Sequence, residues 1–245
     1  MSGMLNESQN TNMKEIIPAI MPQSWYDIEK KMEAVLGAAK TVQLDLMDGK
    51  YVQGVTWPFN GMHTEQWKSL MQEEIGMPFW EDMDIEYDLM IDDAPAFWET
   101  LIKMAPKRVV FHFPKNQEKI DALKQFIQNL DPYFKYEIEI GIAYEHDTHL
   151  ADIVELKDDI KFVQCMGISH VGVQGADLDP AVFTHIEAIT EQLPGIVITV
   201  DGAVNGETLS QFIDAGVERF VMGSAIYENS VPAMALGEFK DFLKQ

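Results

Sequence analysis

Short apolar stretches alternate with amphipathic segments along most of the chain, and eight such pairs can be counted. Stretches in the second half, such as residues 196–200, are continuously apolar, as expected of strands buried on both faces. Apolar residues between the stretches recur at helical spacing, most clearly from Ile120 to Ile127. The predicted strands are Ile16–Met21, Thr41–Met47, Met83–Met90, Arg108–Phe113, Lys135–Ala143, Ile160–Met166, Ile196–Asp201 and Glu218–Met222. A helical pattern is predicted after each strand, for example at Ser24–Ala39, Thr64–Ile75, Ala94–Met104, Asn116–Leu130, Pro180–Gln192, Gly206–Ala215 and Val231–Lys244.

Alternation of strands and helices predicts an α/β fold with a parallel sheet. Eight units in a chain of 245 residues fit a closed (β/α)₈ TIM barrel, which typically needs about 250 residues. A doubly wound open sheet would instead predict a glycine-rich turn after the first strand, where this chain has Pro22-Gln23-Ser24. We therefore predict one barrel over residues 14–245. A flexible tail, residues 1–13, is predicted before it from its polar composition.

Composition narrows the choice of partners and compartment. The chain has 40 acidic and 18 basic residues and a formal net charge of −22, which disfavours nucleic acid and anionic membranes as partners. One cysteine, Cys165, rules out an internal disulfide and fits a reducing compartment. The first residues lack the basic and apolar regions of a signal peptide. We expect a cytoplasmic enzyme.

Four polar residues lie on predicted strands near the ends where a TIM barrel places its active site. They are Gln43 and Asp45 on the second strand, Asp88 on the third and Asp201 on the seventh. Strands two and seven would stand roughly 135° apart around the barrel mouth. Asp45 and Asp201 could then act on opposite faces of one carbon, as an epimerase or racemase requires. Alternatively, each aspartate only caps the turn or helix that follows it.

Four strings stand at predicted strand ends: VQLDLMDGKYV (residues 42–52), YDLMID (residues 87–92), VDGAVNGET (residues 200–208) and MGSAIY (residues 222–227). Together they resemble the signatures of the ribulose-phosphate 3-epimerase family. The resemblance implies that Asp45 and Asp201 form an acid/base pair acting at C3 of a pentulose 5-phosphate. They would interconvert ribulose 5-phosphate and xylulose 5-phosphate, in the pentose phosphate pathway, through an enediolate.

The resemblance also implies a set of substrate-binding residues. Three methionines would cover the enediolate, for which polarizable thioethers are suited because they offer it no proton; core filling is the alternative. The glycine-rich turns expected to bind the phosphate contain no Lys or Arg, so their backbone amides would hold it. The expected substrate-binding residues are Met47, Met90, Met166, Gly172, Gln174, Gly202, Gly223 and Ser224.

The metal site of the family is altered in this chain. The family holds a divalent metal with two histidines and two aspartates, and here Gln43 and Asp88 replace the histidines. The remaining set is Gln43, Asp45, Asp88 and Asp201, all oxygen donors, which favours Mn or Mg over Zn or Fe. Without a metal, the crowded carboxylates would raise at least one pKa. His112 matches a further family histidine, although a buried structural role is an equal alternative.

Three other functions compete with a ribulose-phosphate epimerase. The chain could be an epimerase for another ketose phosphate or a non-catalytic barrel that binds a phosphosugar. A decarboxylase or aldolase of the related phosphate-binding barrels would resemble Asp-x-Lys-x-x-Asp, but the string Asp45-Leu46-Met47-Asp48 has no lysine. In each case we expect a small phosphorylated sugar as ligand, and the family implies a homo-oligomer.

Overall fold

In the computed structural model, which describes residues 14–173 and 175–244, eight parallel strands pair in chain order and close into a barrel. The last strand pairs with the first, with Val221 beside Ile17. This arrangement confirms the predicted (β/α)₈ barrel, while the predicted tail, residues 1–13, lies outside the described residues. The strands are β1 (Glu15–Ile20), β2 (Thr41–Met47), β3 (Asp84–Met90), β4 (Arg108–Phe111), β5 (Glu139–Tyr144), β6 (Phe162–Met166), β7 (Val197–Asp201) and β8 (Arg219–Met222).

Helices surround the barrel, and polar side chains fix where several of them begin. Ser24, Thr64 and Asn116 each accept a hydrogen bond from a backbone N–H in the first turn of the following helix. All three residues stand at predicted helix starts. The helices are α1 (Trp25–Glu33), α2 (Glu65–Met71), α3 (Ala94–Ile102), α4 (Gln117–Gln128), α5 (Pro132–Glu137), α6 (Leu150–Glu155), α7 (Ala181–Gln192), α8 (Leu209–Asp214), α9 (Ser224–Tyr227) and α10 (Pro232–Phe242).

One predicted strand begins too early. The strand predicted at Lys135–Ala143 starts at Glu139, because residues 132–137 form α5. Asp131 caps that helix by accepting from the Tyr133 N–H, and Pro132 occupies its first turn. The other seven strands agree with the prediction to within two residues at each end. The short helices α5 and α9 were not predicted, and the helix expected after the fifth strand, which is α6, had no assigned bounds, because so few residues carry little periodicity.

Side-chain alternation separates an apolar outer layer from a polar barrel interior. Leu44 and Leu46 of β2 belong to the main apolar core, which fills the space between strands and helices. The alternate residues of that strand, Gln43 and Asp45, point the other way. Buried polar residues accordingly gather on the strands, at Gln43, Asp45, Glu86, Asp88, Arg108 and Gln164. Among the described residues no helix is both long and apolar enough to cross a membrane.

Candidate active site

A cavity of about 320 Å³ opens at the carboxyl ends of the strands, and we call it the upper cavity. It contains most of the residues that the sequence predicted for binding or catalysis: Asp45, Asp88, Met90, Met166, Gly172, Asp201, Gly202, Gly223 and Ser224. Gln43 and Met47 do not line it. Gln174, also predicted to bind substrate, lies outside the described residues.

Gln43 joins the aspartates of β2 and β7. Its side-chain Nε2 donates to Asp45 Oδ1 and to Asp201 Oδ2, each at 2.8 Å. The amide oxygen of Gln43 is buried and has no hydrogen-bond partner among the described residues. One amide therefore links the carboxylates of two strands that are not neighbours in the barrel.

Asp88 completes a cluster of three carboxylates. It pairs with Asp45 in the register of β2 and β3. One carboxylate oxygen from each of Asp45, Asp88 and Asp201 lies within 4.8 Å of the others. Such a convergence of hard oxygen donors is a group that could hold a divalent metal ion.

Burial and mutual repulsion change how the aspartates titrate. The pKa of Asp45 is raised well above its ordinary value, first by burial and then by the charges of Asp201 and Asp88. Burial and the charge of Asp88 raise the pKa of Asp201 to about 7, although the hydrogen bond from Gln43 opposes the shift. Without a bound metal ion, the Asp45–Asp201 pair therefore favours retaining a proton near neutral pH, so that one member can donate while the other accepts.

Gln164 on β6 is a member of the cluster that the motifs did not identify. Its Nε2 lies 3.3 Å from Asp88 Oδ2 and 3.4 Å from Asp201 Oδ2. A second amide, from β6, thus contacts two of the three carboxylates. The signal for it was present in the sequence, because Gln164 is a polar residue two positions before Met166 in an otherwise apolar strand.

A chain of hydrogen bonds leads away from Asp88. His112 Nε2 lies 2.5 Å from Asp88 Oδ1, and His112 Nδ1 lies 2.6 Å from Glu145 Oε1. Tyr51 donates its hydroxyl proton to the same Glu145 oxygen. Burial alone would lower the pKa of His112, but the carboxylates on both sides raise it to about 10. A protonated ring therefore fixes the orientation of Asp88.

Glu145 and Tyr51 could not be predicted from the motifs. Glu145 follows β5 directly, and Tyr51 lies in the loop after β2. Only the barrel closure brings these two loops together around His112. Burial raises the pKa of Glu145, yet the hydrogen bond and charge of His112 lower it more, so the net shift is downward. The buried histidine is therefore part of the site's charge balance.

Thioethers form part of the cavity wall. Met90 and Met166, both predicted, line the upper cavity together with Met21, which was not predicted. Met47 instead packs behind the cavity wall, against Gly172 and Gly54. Its sulfur is 3.3 Å from the position that a Cβ on Gly172 would occupy, and its methyl carbon is 3.0 Å from the corresponding position on Gly54. The structure thus brings two of the three expected methionines to the cavity surface.

Glycines and one alanine shape the far end of the upper cavity. Gly202 has a φ of +94° and Ala203 a φ of +54°, so the turn after β7 is left-handed at two successive residues. For alanine this conformation costs about 1 kcal/mol. Thr208 stabilises it by donating its hydroxyl to the Ala203 carbonyl at 2.6 Å. No Lys or Arg lines the described part of the upper cavity, so any phosphate there would depend on backbone amides.

Close backbone packing holds Asp201 in position. The Gly167 N–H donates to the Asp201 carbonyl at 2.6 Å. A Cβ on Gly167 would lie 2.2 Å from the Gly202 carbonyl oxygen, which no side chain permits. The glycine after β6 is therefore required by the turn that carries the β7 aspartate.

Comparison with known proteins gives one consistent family. Residues 15–227 match the family model described as the ribulose-phosphate 3 epimerase family. A ribulose-phosphate 3-epimerase of Mycobacterium bovis is 23% identical over 235 residues, covering 92% of this chain and 91% of that protein. The ribulose-phosphate 3-epimerase of Helicobacter pylori (strain ATCC 700392 / 26695) is 24% identical over 226 residues, covering 91% of this chain and 94% of that protein.

Solved structures show the same fold at lower identity. A crystal structure of KGPDC from Streptococcus mutans has a TM-score of 0.66 and 15% identity, covering 94% of this chain and 97% of the other. A 3-hexulose-6-phosphate synthase from Salmonella typhimurium has a TM-score of 0.64 and 13% identity, covering 94% of this chain and 99% of the other. At these identities the likeness concerns the barrel alone.

Proposed function

The chain belongs to the ribulose-phosphate 3-epimerase family, and from this premise we propose that it interconverts ribulose 5-phosphate and xylulose 5-phosphate. One observation carries the proposal: the carboxylates of Asp45 and Asp201 share the Gln43 amide and line one cavity. The two aspartates come from strands that are not neighbours in the barrel. They can therefore approach a planar intermediate from different sides.

In the proposed reaction one aspartate removes the C3 proton and the other returns a proton to the opposite face. The ionised member acts as the base, and the proton retained by the pair makes the other member the acid. Burial of both groups lets them exchange roles when the reaction runs backwards, because neither is committed to the ionised form at neutral pH. In the absence of a metal, the Gln43 amide donates to both carboxylates and holds them together.

The rest of the upper cavity orients the sugar. Met90 and Met166 would cover the enediolate without offering it a proton. Backbone amides of Gly202 and Gly223, with Ser224, would hold the phosphate. Gly172 and Gln174 are expected to contribute from the loop after β6.

A divalent metal fits the donor set. Asp45, Asp88 and Asp201 would hold it, and Gln43 would join them if its amide were rotated so that the unpartnered Oε1 faced the carboxylates. Oxygen donors alone favour manganese or magnesium. When bound, such an ion would supply positive charge to the oxygens of the enediolate.

The proposal is tested by incubating the purified, metal-analysed protein with ribulose 5-phosphate in heavy water and following the C3 proton by NMR. We expect exchange with formation of xylulose 5-phosphate. Asp45→Asn and Asp201→Asn should each lower turnover at least a hundredfold, because each removes a proton-transfer group. Asp82→Asn, an exposed aspartate outside the cavity, is the matched control.

Two outcomes would contradict the proposal. Near-normal turnover in either active-site variant would exclude the two-aspartate mechanism. Binding of ribulose 5-phosphate without exchange would favour a phosphosugar-binding barrel that is not catalytic. Exchange with a different ketose phosphate only would keep the mechanism and replace the substrate.

A further inference from the structure

A second cavity opens at the opposite end of the barrel, and we call it the lower cavity. Its volume is about 710 Å³, within the usual range of ligand sites, roughly 300–1,000 Å³. It lies where the strands begin, so it shares no residue with the upper cavity. Six cationic and three acidic side chains line it: Lys14, Lys40, Arg108, Arg219, Lys240 and Lys244, with Glu15, Glu139 and Glu218.

This concentration of positive charge contrasts with the rest of the chain. The formal net charge is −22, and the chain has only two arginines, both of which line the lower cavity. A local field of the opposite sign attracts small anions that the remaining surface repels. The upper cavity, by contrast, has no Lys or Arg among its described lining residues.

The two arginines stand side by side on one carboxylate. Arg219 Nη2 lies 2.7 Å and Arg108 Nε 3.5 Å from the same oxygen of Glu139. Arg108 also contacts Glu15 at 2.8 Å and Glu86 at 3.6 Å. Paired guanidinium groups of this kind suit the oxygens of a phosphate group, because each offers several N–H donors in a rigid plane.

Several N–H groups of the two arginines form no hydrogen bond among the described residues. The Arg108 side chain is 7% exposed, and its Nε and Nη1 form no hydrogen bond among the described residues, because the carboxylate oxygens of Glu139 and Glu86 that face them are 3.5 and 3.6 Å away. The Nη1 of Arg219 is also buried without one. Both carboxylate oxygens of Glu86 also lack a hydrogen bond among the described residues, so the ion pairs in this cluster are loose. The oxygens of a bound phosphate would satisfy the guanidinium N–H groups that remain, as buried polar groups normally require.

We propose that the lower cavity is a second binding site, for a small anion that carries two phosphate groups. The paired guanidinium groups of Arg108 and Arg219 would bind one group in the interior. Lysines at the rim, of which Lys14, Lys40 and Lys244 are exposed, would attract the other. The site is independent of the epimerase reaction proposed above, so failure of one would leave the other standing.

Pyrophosphate is the probe, and binding is measured by isothermal titration calorimetry. All proteins carry Ser224→Glu, which places a negative charge in the upper cavity and prevents binding there. The test variant combines Lys14→Gln, Lys40→Gln and Lys244→Gln, all exposed positions whose loss leaves the fold intact. The matched control combines Lys30→Gln, Lys68→Gln and Lys157→Gln, which removes the same charge from exposed positions outside the lower cavity.

We expect one pyrophosphate to bind per chain, more weakly as salt is added. The test variant should bind about tenfold more weakly, at roughly a factor of two for each lysine, and the control less than twofold more weakly. Arg219→Gln should abolish binding in a protein whose circular dichroism is unchanged. Absence of binding to the parent protein, or equal weakening in both triple variants, would overturn the proposal and leave the cluster as a structural ion-pair network.

Discussion

At the scale of single residues, Gln43 decides how the carboxylate cluster is organised. Its amide donates to Asp45 and Asp201 at the point where the family pattern has a histidine. An amide cannot carry the charge of an imidazolium, and its oxygen is a harder donor than an imidazole nitrogen. The substitution therefore changes both the hydrogen bonds of the aspartates and the metal that the group would prefer.

Replacing this residue tests the preference directly. Gln43→His should shift selectivity towards zinc relative to manganese by about tenfold or more, because zinc favours nitrogen donors. Competition between the two ions, followed by thermal denaturation and by metal analysis after dialysis, measures the shift without any activity assay. Gln72→His, at the end of α2, is the control. An unchanged selectivity would mean that residue 43 is not a metal ligand.

Sequence reasoning reached some site residues and not others for a physical reason. Asp45, Asp88 and Asp201 lie on strands, where the alternation of side chains shows which residues face the interior. Glu145 and Tyr51 lie in loops, whose paths depend on the closed barrel. Alternation along β6 also indicates Gln164. The sequence leaves His112 open between a family histidine and a buried structural residue, and only the structure shows its contacts with Asp88 and Glu145.

At the scale of elements, the junction between β6 and β7 is the tightest constraint on the site. Gly167 lies against the backbone of Gly202, so its hydrogen cannot be replaced by a methyl group without moving the β7 turn. Strand and helix positions followed from periodicity, but this contact did not, because it joins residues distant in sequence. Similarly, α5 overlaps a predicted strand, because its six residues are too few to show a helical period.

Two glycine substitutions separate this constraint from ordinary helix propensity. Gly167→Ala should lower the free energy of unfolding by about 2 kcal/mol through overpacking, and should also reduce turnover because Asp201 moves. Gly237 lies in α10, and a Cβ added there has nothing within 4 Å. Gly237→Ala should therefore raise the free energy of unfolding by roughly 0.5–1 kcal/mol. Urea denaturation measures both. A Gly167→Ala protein as stable as the parent would show that the β7 turn yields easily.

At the scale of the whole molecule, the barrel and the family predicted from the sequence are both confirmed. The barrel could be predicted because it follows from the pattern of eight alternating strands and helices, which depends little on the identity of any single residue. The charge distribution could not be predicted in the same way. The lower cavity gathers residues from both ends of the chain, and only the closure of the barrel makes them neighbours.

The ion pair between Glu15 and Arg108 at the lower cavity should make the free energy of unfolding depend on pH. Burial raises the pKa of Glu15, but the charge of Arg108 and hydrogen bonds from Thr41 and Arg108 lower it more, so the net shift is downward. A lowered pKa gives stability that is present above the unfolded-state value, about 4.3, and is lost as the pH falls through the folded-state value. Glu15→Gln should therefore cost about 2 kcal/mol near neutral pH and progressively less in acid.

Urea denaturation of both proteins between about pH 3 and pH 8 measures this difference. Glu65→Gln is the control, because Glu65 pairs with Lys68 at a site where its side chain is 85% exposed. That variant should differ little from the parent at any pH. If the free energies of unfolding of the parent and Glu15→Gln differed by the same amount at every pH, the ionised Glu15 carboxylate would not be what stabilises the lower end of the barrel.

Pairing of β8 with β1 has a consequence for how the chain folds. These strands lie roughly 200 residues apart in sequence, so the contact that closes the ring requires the largest loop in the molecule. Until it forms, both strands present unpaired N–H and C=O groups that can join another chain. A chain in which β8 has not yet paired with β1 therefore exposes two strand edges to other chains, and closing the ring removes both.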